Sequence, residues 1–419
     1  MKHIRLTTLV FFSLLAAQLN AQTLQSPYSN YGLGEFLFPG LSHNMAMGEV
    51  GIGTPSDWHI NLLNPAYLTY NRLSSFQVGI SGDLRQFNSA DNQNQKASAN
   101  LRFLTMSFPV VRNRWTTAFA LTPLTTVKYN SYSSDSLDYG EQVVSQLLGE
   151  GGITQLVWAN GFRLFKQLSV GVKAAYVFGS IDQNSNTYLL GDSVSSPYLI
   201  ALNRKTVYSD FLFSFSLGYK TKLTDTKYLN FGAVYDLSRT VSGLQDQTLE
   251  RQTLAGAGDP NPTILNEDVN ASETLPEKMS LGLSYEVLNK MKVGADIKLQ
   301  NWSGVNESGI TSYRNTTNIS AGIEFIPDIK SVNSYLKRIN YRVGFSLKQL
   351  PYLVNDTEIN DFGINFGASF PTGGYSSMDA SFKIGSRGTT DNNLIRENYM
   401  QFVIGATIND RWFIKRRYD

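Results

Sequence analysis

The chain is 419 residues long and sets 36 Lys and Arg against 34 Asp and Glu, a formal net charge of +2, with 22 Tyr, 24 Phe, 34 Gly and no cysteine. This near-neutral balance leaves no basic footprint for nucleic acid, and the absence of cysteine excludes disulfides and thiolate chemistry. After the first 21 residues no window of 18 apolar residues occurs, which excludes a helical membrane protein.

The N-terminus reads as a secretory leader. Lys2 and Arg5 precede the apolar run "LTTLVFFSLLAAQL", and Ala21 in "LNAQ" offers a small residue for cleavage. The run is short for a membrane-spanning helix, so residues 1–21 are set aside as a signal peptide. Their removal takes Lys2 and Arg5 and no acid, leaving a neutral mature chain whose two histidines are His43 and His59.

Residues 22–70 follow, rich in small residues and too irregular for a helix or a strand. "NMAMGEVGIGTPSDWHINLLNPAYL" is their centre. Gly48, Gly51 and Gly53 permit tight turns and close packing, and Pro55 and Pro65 fix bends. "GEVGIG" lacks the strand–turn–helix setting of a dinucleotide fingerprint, and no Walker-type Gly-Lys-Ser/Thr follows it. His43 and His59 are sixteen residues apart with no third histidine, so a metal site would rest on carboxylates; no serine is marked as a nucleophile. These residues call for no cofactor and no catalytic group. Asn301-Trp302-Ser303 and Asn306-Glu307-Ser308 match glycosylation sequons at the level of chance.

From residue 71 onward the chain alternates. In "NKMKVGADIKLQ" one parity is Met291, Val293, Ala295, Ile297 and Leu299, and the other is Lys292, Gly294, Asp296, Lys298 and Gln300. In a strand the two parities face opposite ways. "NDFGINFGASF" and "ENYMQFVIGATINDRWF" repeat the pattern, with a polar parity mostly of Gly, Ser, Asn and Thr rather than the Lys and Glu of a solvated face. Many segments approach the ~9–11 residues of a tilted membrane strand, and Tyr285, Trp302, Tyr341 and Trp412 gather at their ends as an interfacial girdle would.

Strands are expected at 74–86, 97–109, 115–127, 152–165, 168–180, 207–222, 228–241, 277–288, 290–302, 311–326, 338–350, 357–371, 375–387 and 397–412. That makes fourteen, an even number as in single-chain bacterial barrels. Connections alternate long and short. The long set includes "NSYSSDSLDYGEQVVSQLLGEGG", the Asp182–Thr206 loop and the Gly243–Pro276 loop; "RNR", "KQ", "LTDTK", "LN" and "TGGY" are short, with "PDIKSVNSYLKR" as the exception. Short turns face the periplasm, which puts both termini there. The expected fold is therefore all-β: a fourteen-stranded antiparallel outer-membrane barrel over residues 71–413, with 22–70 plugging the lumen and 414–419 as a basic periplasmic tail. Eight strands already enclose all the space side chains can fill, so a fourteen-stranded lumen needs that plug.

The sequence resembles the FadL-type outer-membrane transporters of long-chain fatty acids and other hydrophobic compounds over nearly the whole mature chain. The resemblance is strongest in "NLLNPAYL", "FALTPLTTVKY" and "PEKMSLGLSYEVLNKMKVGADIKLQNWS". Family members carry a Gly/Ala-rich N-terminal hatch ending in Asn-Pro-Ala, matched by Asn64, Pro65 and Ala66, inside a fourteen-stranded barrel. The end of the chain, "GSRGTTDNNLIRENYMQFVIGATINDRWFIKRRYD", is similar to a Bacteroidetes version of that barrel. Two departures stand out. The stretch "GIGTPSDWHINLL" before Asn-Pro-Ala has a single acid, Asp57, where the family has an Ala-rich stretch with an acidic pair, and "IKRRYD" extends beyond Phe413, the counterpart of the usual terminal aromatic.

The resemblance implies uptake of a hydrophobic small molecule such as a fatty acid, with outer-membrane lipid as the other partner: capture by loops, gated passage at the hatch, and lateral exit. Pro123 lies within the third strand, where it cannot donate to the ladder, and in the family this strand's kink forms the side opening; a bulge that only shapes the barrel is the alternative. "GEQVVSQLLGEGG" is expected as a short amphipathic helix offering Val143, Val144, Leu147 and Leu148 to a ligand, against the alternative of a self-packed loop. Phe36, Leu37, Phe38 and Leu41 are candidate pocket lining or else plug core. Lys173, Lys292 and Lys298 face the lumen as partners for a carboxylate, with Asp296 placed to neutralise one of them. A second function belongs to another class: a non-transporting barrel subunit of a larger outer-membrane secretion or protein-assembly complex, with other outer-membrane proteins as partners. An intact wall at Pro123 with no cavity beneath the loops favours that role, whereas an apolar tunnel reaching Pro123 favours transport.

Overall fold

The computed structural model describes residues 25–89, 93–136, 142–190, 198–253, 262–305 and 313–411. The expected leader and tail lie outside the described residues.

Fourteen antiparallel strands close on themselves. In chain order they are β1 (Ser74–Asn88), β2 (Gln93–Val111), β3 (Trp115–Pro123 continuing as Thr125–Ser136), β4 (Gln142–Arg163), β5 (Leu168–Leu190), β6 (Tyr198–Lys222), β7 (Lys227–Asp236 and Arg239–Thr253), β8 (Thr263–Leu275 and Lys278–Val287), β9 (Met291–Gln300), β10 (Thr316–Phe325), β11 (Asn340–Val354), β12 (Thr357–Gly373), β13 (Ser376–Arg387) and β14 (Arg396–Asp410). Each strand pairs with the next, and β14 pairs with β1 from Arg396–Asn88 to Asp410–Ser74, which closes the barrel. Closure pairs the backbone groups strand to strand, as the bilayer demands, with one gap in the β2–β3 ladder past Leu121.

Apolar residues stand outward in rows. Leu281, Ile297, Ile319, Leu347 and Phe362 are cross-strand neighbours, and so are Ile364, Ile384, Met400 and Leu84. Phe211, Phe213, Phe215 and Leu217 on β6 are each about half exposed (47–52%). Such a belt, rich in aromatics and running around a closed ladder, makes this a membrane-spanning barrel of the outer-membrane type.

Three of the expected long loops are strand instead. Thr125–Ser136, the first half of β4, the second half of β5, the start of β6, Arg239–Thr253 and Thr263–Leu275 continue the ladders well past the belt and raise a six-stranded sheet on one side of the barrel. Only the tips at 137–141, 191–197 and 254–261 lie outside the described residues. The short helix expected in "GEQVVSQLLGEGG" is likewise β4. Val143, Val144, Leu147 and Leu148 pair with β3 on one side and β5 on the other. Two adjacent β-branched valines favour a strand, and Gly151 and Gly152 at φ of +116° and +143° stop any helix.

Residues 25–73 fill the lumen. Their regular pieces are short: the turns Pro27–Asn30 and Pro65–Tyr70, a two-residue strand at Glu35–Phe36, and the helix α1 (Ser42–Ala46). Side chains from Leu41, Met45, Ile60, Leu62 and Leu68 meet Phe103, Val157 and Val403 of the wall in one core cluster. Wall glycines let the segment press backbone against backbone. A Cβ built on Gly322 of β10 would lie 2.2 Å from the Met47 carbonyl oxygen, and one on Gly48, which has φ +73°, would lie 2.5 Å from the Ala321 carbonyl oxygen.

Candidate functional site

The inner segment is fastened around the whole circumference. Asp296 on β9 accepts the backbone N–H groups of Gly51 and Ile52 at 2.7 and 2.9 Å and, more loosely, that of Gly53 at 3.4 Å. Here the three glycine-region amides form a small nest around a carboxylate. Asp296, expected as a counter-charge for a lysine, interacts electrostatically with Lys298 and also gives its oxygens to this backbone. Asn64 donates to the Leu217 carbonyl of β6, the Ala66 N–H donates to Ser216 Oγ, and the Tyr67 hydroxyl donates to the Phe231 carbonyl of β7. Asn64 also caps the Pro65–Tyr70 turn through its side chain. The Asn64-Pro65-Ala66 motif thus seats one end of the segment. At the opposite wall Asn409 of β14 donates to the Trp58 carbonyl, and on β9, beside Asp296, Lys292 donates to the Pro55 carbonyl at 2.6 Å.

Two glutamates carry the electrostatics. Glu49 pairs with Lys348 at 2.7 Å and Lys383 at 2.9 Å. Glu35 pairs with Arg85 and Arg387, each at 2.8 Å, and both arginines also face Glu397. Ser26 donates to Glu397. Burial pushes the carboxyl pKa of Glu49 up, but Lys348, Lys383 and Lys298 outweigh it and hold the value at about 2. Glu35 is likewise held at about 2, because Arg387 and Arg85 overcome its burial. Breaking a buried pair by removing one partner costs about 3–5 kcal/mol, so these pairs oppose withdrawal of the segment.

His43 and His59, distant in sequence, are stacked with ring centroids 4.3 Å apart, and His59 Nε2 lies 3.1 Å from Asp379. Burial, then the His59 and Arg342 charges, lower the pKa of His43 well below its ordinary value. The pair sits in the plug–wall interface, and among the described residues no group of three or more His, Cys, Asp or Glu side chains is placed to hold a metal.

A cavity of about 220 Å³ remains between Gly34–Pro39, Leu124 beside Pro123, and the inner faces of β8 to β13. Of the candidate lining residues, Phe36, Leu37, Phe38 and Lys298 border it. Leu41 is in the plug core. Lys292 is held at the other end of the barrel by Pro55 and Glu286, and Lys173 faces Asp236 at 3.5 Å. Leu147 packs against the Leu33 and Val127 cluster in the raised sheet. Lys298 and Lys348 stand over the Phe38 ring at 5.2 and 5.8 Å. The sequence reading missed Lys348, Lys383, Arg85, Arg387, Glu35 and Glu49. The available signal was a charge on the inward parity of a strand, as in Asp361, Lys383 and Arg387.

The wall is broken at Pro123. The β2–β3 ladder runs from Val111–Trp115 to Leu104–Leu121 and ends there. Beyond it Thr125 and Thr126 pair with Phe36 and Glu35 of the inner segment. The Leu37 N–H donates to the Leu124 carbonyl and the Ser26 N–H to the Lys128 carbonyl, both at 2.9 Å. The side of β3 left free by β2 is therefore covered from within by Ser26–Leu37.

Residues 1–419 match the BamG family. The chain belongs to that family. No curated protein matches it. Among solved structures the BamG-family chain is similar to the Pseudomonas putida toluene transporter TodX at 16% identity, with a TM-score of 0.59 over 92% of this chain and 100% of that one. It is similar to the CymD monoaromatic hydrocarbon channel at 16% identity and TM-score 0.57, over 88% and 97%. A FadL homologue of Pseudomonas aeruginosa gives 13% identity and TM-score 0.57, over 89% and 98%. These likenesses establish a shared barrel fold; their hydrocarbon and toluene specificities are those proteins' own.

Proposed function

We propose that this BamG-family chain is a permanently plugged, non-enzymatic barrel of the Gram-negative outer membrane that serves as a fixed subunit of a larger outer-membrane assembly. The observation that supports this best is the way residues 25–73 are pinned to the wall through Glu35, Glu49 and the Asp296 nest. Removing such a plug would break several buried ion pairs at about 3–5 kcal/mol each. The cavity beside Phe36–Phe38, about 220 Å³, is below the roughly 300–1,000 Å³ of ordinary ligand pockets, and lysines share its lining with the aromatics, while a second of about 350 Å³ at Gln25 and the raised sheet is lined mostly by polar and charged residues. The six-stranded sheet raised over one side gives such a subunit a rigid surface outside the bilayer.

Passage of a hydrophobic small molecule is a second reading with its own observation, the broken ladder at Pro123. In it a fatty acid or similar solute meets the Phe36–Phe38 cavity, Gly48–Gly53 and Asn64–Ala66 act as the gate, and the solute leaves sideways where Ser26–Leu37 now covers β3. The hydrophobic-compound channels among the similar structures favour this reading. Mass measurement of the intact particle after gentle extraction separates the two. A stoichiometric complex with other proteins and an empty barrel supports the subunit. A monomer releasing a hydrophobic molecule supports the channel and refutes the subunit.

A further inference from the structure

The short-turn end of the barrel repeats one arrangement. Between β2 and β3, Arg112 and Arg114 follow the exposed Val111; between β4 and β5, Lys166 follows Leu164 and Phe165. Between β6 and β7, Lys222 and Lys227 flank Leu223, and between β8 and β9, Lys290 follows Leu288. Each of these hairpins offers an exposed large apolar side chain together with at least one cation. Acids are fewer there, and Asp225 is already taken by Lys222 at 2.6 Å. Among the described residues Arg112, Arg114, Lys166, Lys227, Lys290 and Lys337 have no carboxylate partner. The raised sheet at the other end mixes both signs instead, with Asp246, Glu267 and Asp268 offsetting Arg204 and Lys205.

The turn at 372–375, between β12 and β13, has no cation of its own, and its neighbours supply one from each side. Arg411, just past β14, stands over the Tyr375 ring at 5.6 Å and donates to its hydroxyl at 3.0 Å. On the other side lies the connection at 326–339, the long exception among the short turns. Its Tyr335 hydroxyl donates to the Pro371 carbonyl of β12 at 3.0 Å, and its Asp328 N–H donates to the Lys337 carbonyl at 2.8 Å. The extra residues are thereby folded towards the neighbouring hairpin, and they bring Lys330 and Lys337 with Leu336 and Val332, which is 92% exposed. Cations and apolar side chains therefore run around the whole circumference.

We infer that this rim is a collar for the phosphates of anionic phospholipid in the leaflet at that end. Depth supports this occupant. Lys222 comes three residues after Tyr219, an exposed aromatic of the belt. Three residues are about 10 Å of strand, or roughly 7–8 Å of depth at a tilt of about 40°. The polar layer on each side of the hydrocarbon is about 5–8 Å thick, so the ammonium group reaches the headgroups. Lys and Arg stems lie along apolar surface while the charged end meets the phosphate, and anionic lipid attracts such cations within a Debye length. The bilayer also meets the barrel on every side, as the cations do. A docked protein would cover one sector and leave the others unanswered. None of this depends on the subunit reading.

The test is the lipid selectivity of the full chain in bilayers mixing phosphatidylethanolamine with phosphatidylglycerol. Spin-labelled analogues of each lipid report the fraction restrained against the barrel. The natural chain should favour phosphatidylglycerol by about threefold or more at low salt, and less as salt rises. Replacing Arg112, Arg114, Lys166, Lys290 and Lys337 together by Gln should bring the ratio close to one, with heat-modifiable migration on gels checking that the barrel is folded. Arg204→Gln/Lys205→Gln on the raised sheet should leave the preference intact. Equal association of both lipids with the natural chain overturns the inference, and so does a preference that survives in the folded turn variant. A soluble protein that binds the natural chain and not the turn variant, with lipid selectivity the same in both, overturns it too and assigns the cations to that protein.

Discussion

Replacing Glu49 with Gln should unseat the plug. Glu49 is 3% exposed and its oxygens lie 2.7 and 2.9 Å from the ammonium groups of Lys348 and Lys383. The amide keeps the shape and removes the charge, leaving two lysines facing the lumen without it. Losing one partner of a buried pair costs about 3–5 kcal/mol, and each 1.36 kcal/mol is a factor of ten. Transient release of the segment should therefore become roughly two to four orders of magnitude more frequent. The natural chain has no cysteine, so Ser42→Cys, buried in α1, is an unambiguous reporter. A hydrophilic maleimide should label it slowly in the natural background and faster by that factor with Glu49→Gln. Replacing Glu49, Lys348 and Lys383 together by apolar residues of similar size should restore most of the protection, because removing a whole buried ion group is often neutral. Labelling within threefold of the natural rate in Glu49→Gln would refute the claim that this group holds the plug.

Acid should loosen the plug in a defined window. Glu49 and Glu35 are held at about 2 in the folded protein, against about 4.3 when unfolded. Their folded values are depressed, so their contribution is fully present above about pH 4.3 and is lost as pH falls towards 2. Buried His43, whose folded value lies well below the ordinary one, adds a loss that begins as pH falls through about 6.5. Cysteine labelling, once corrected for thiolate ionisation, should therefore start to rise below about pH 6.5 and, with protease sensitivity of the plug, rise more steeply below about pH 4. Gly48→Val places a side chain at φ +73° and 2.5 Å from the Ala321 carbonyl oxygen. It should cost about 1–2 kcal/mol of backbone strain plus about 1–3 of overpacking, read as a lower midpoint of heat-modifiable unfolding. Asp296→Asn keeps the size of the nest and removes its charge. Hydrogen bonds to charged groups are worth about 1.5–3 kcal/mol, and faster exchange of the Gly51 and Ile52 amides should report the loss.

The barrel was legible because period-two alternation is a direct consequence of a wall with lipid on one side. β9, with Val293, Ala295, Ile297 and Leu299 outward, shows the pattern, and fourteen such segments gave the strand number. The tall hairpins were not legible. In Thr125–Ser136 or Thr263–Leu275 both faces are outside the bilayer, so polar residues occupy both parities and the pattern reads as loop. In "GEQVVSQLLGEGG" the spacing of Val143, Val144, Leu147 and Leu148 fits a helix, but two neighbouring strands offered full ladders. The site divides the same way. Small residues at Gly48, Gly51 and Gly53 signalled close packing, and Pro123 marked the end of the β2–β3 ladder. Ion pairs between Glu35 or Glu49 and strands some 50 to 350 residues away depend on the closure of the barrel, which no local pattern encodes.

Amide hydrogen exchange, resolved by peptide on the intact protein in lipid nanodiscs, tests the permanence of the plug most directly. The account predicts that peptides covering Leu37 and Gly51–Ala66 exchange as slowly as those of β9 and β11, so that plug and wall open only together. Exchange of those plug peptides orders of magnitude ahead of the wall would show a segment that leaves its seat, and would contradict a sealed, fixed subunit.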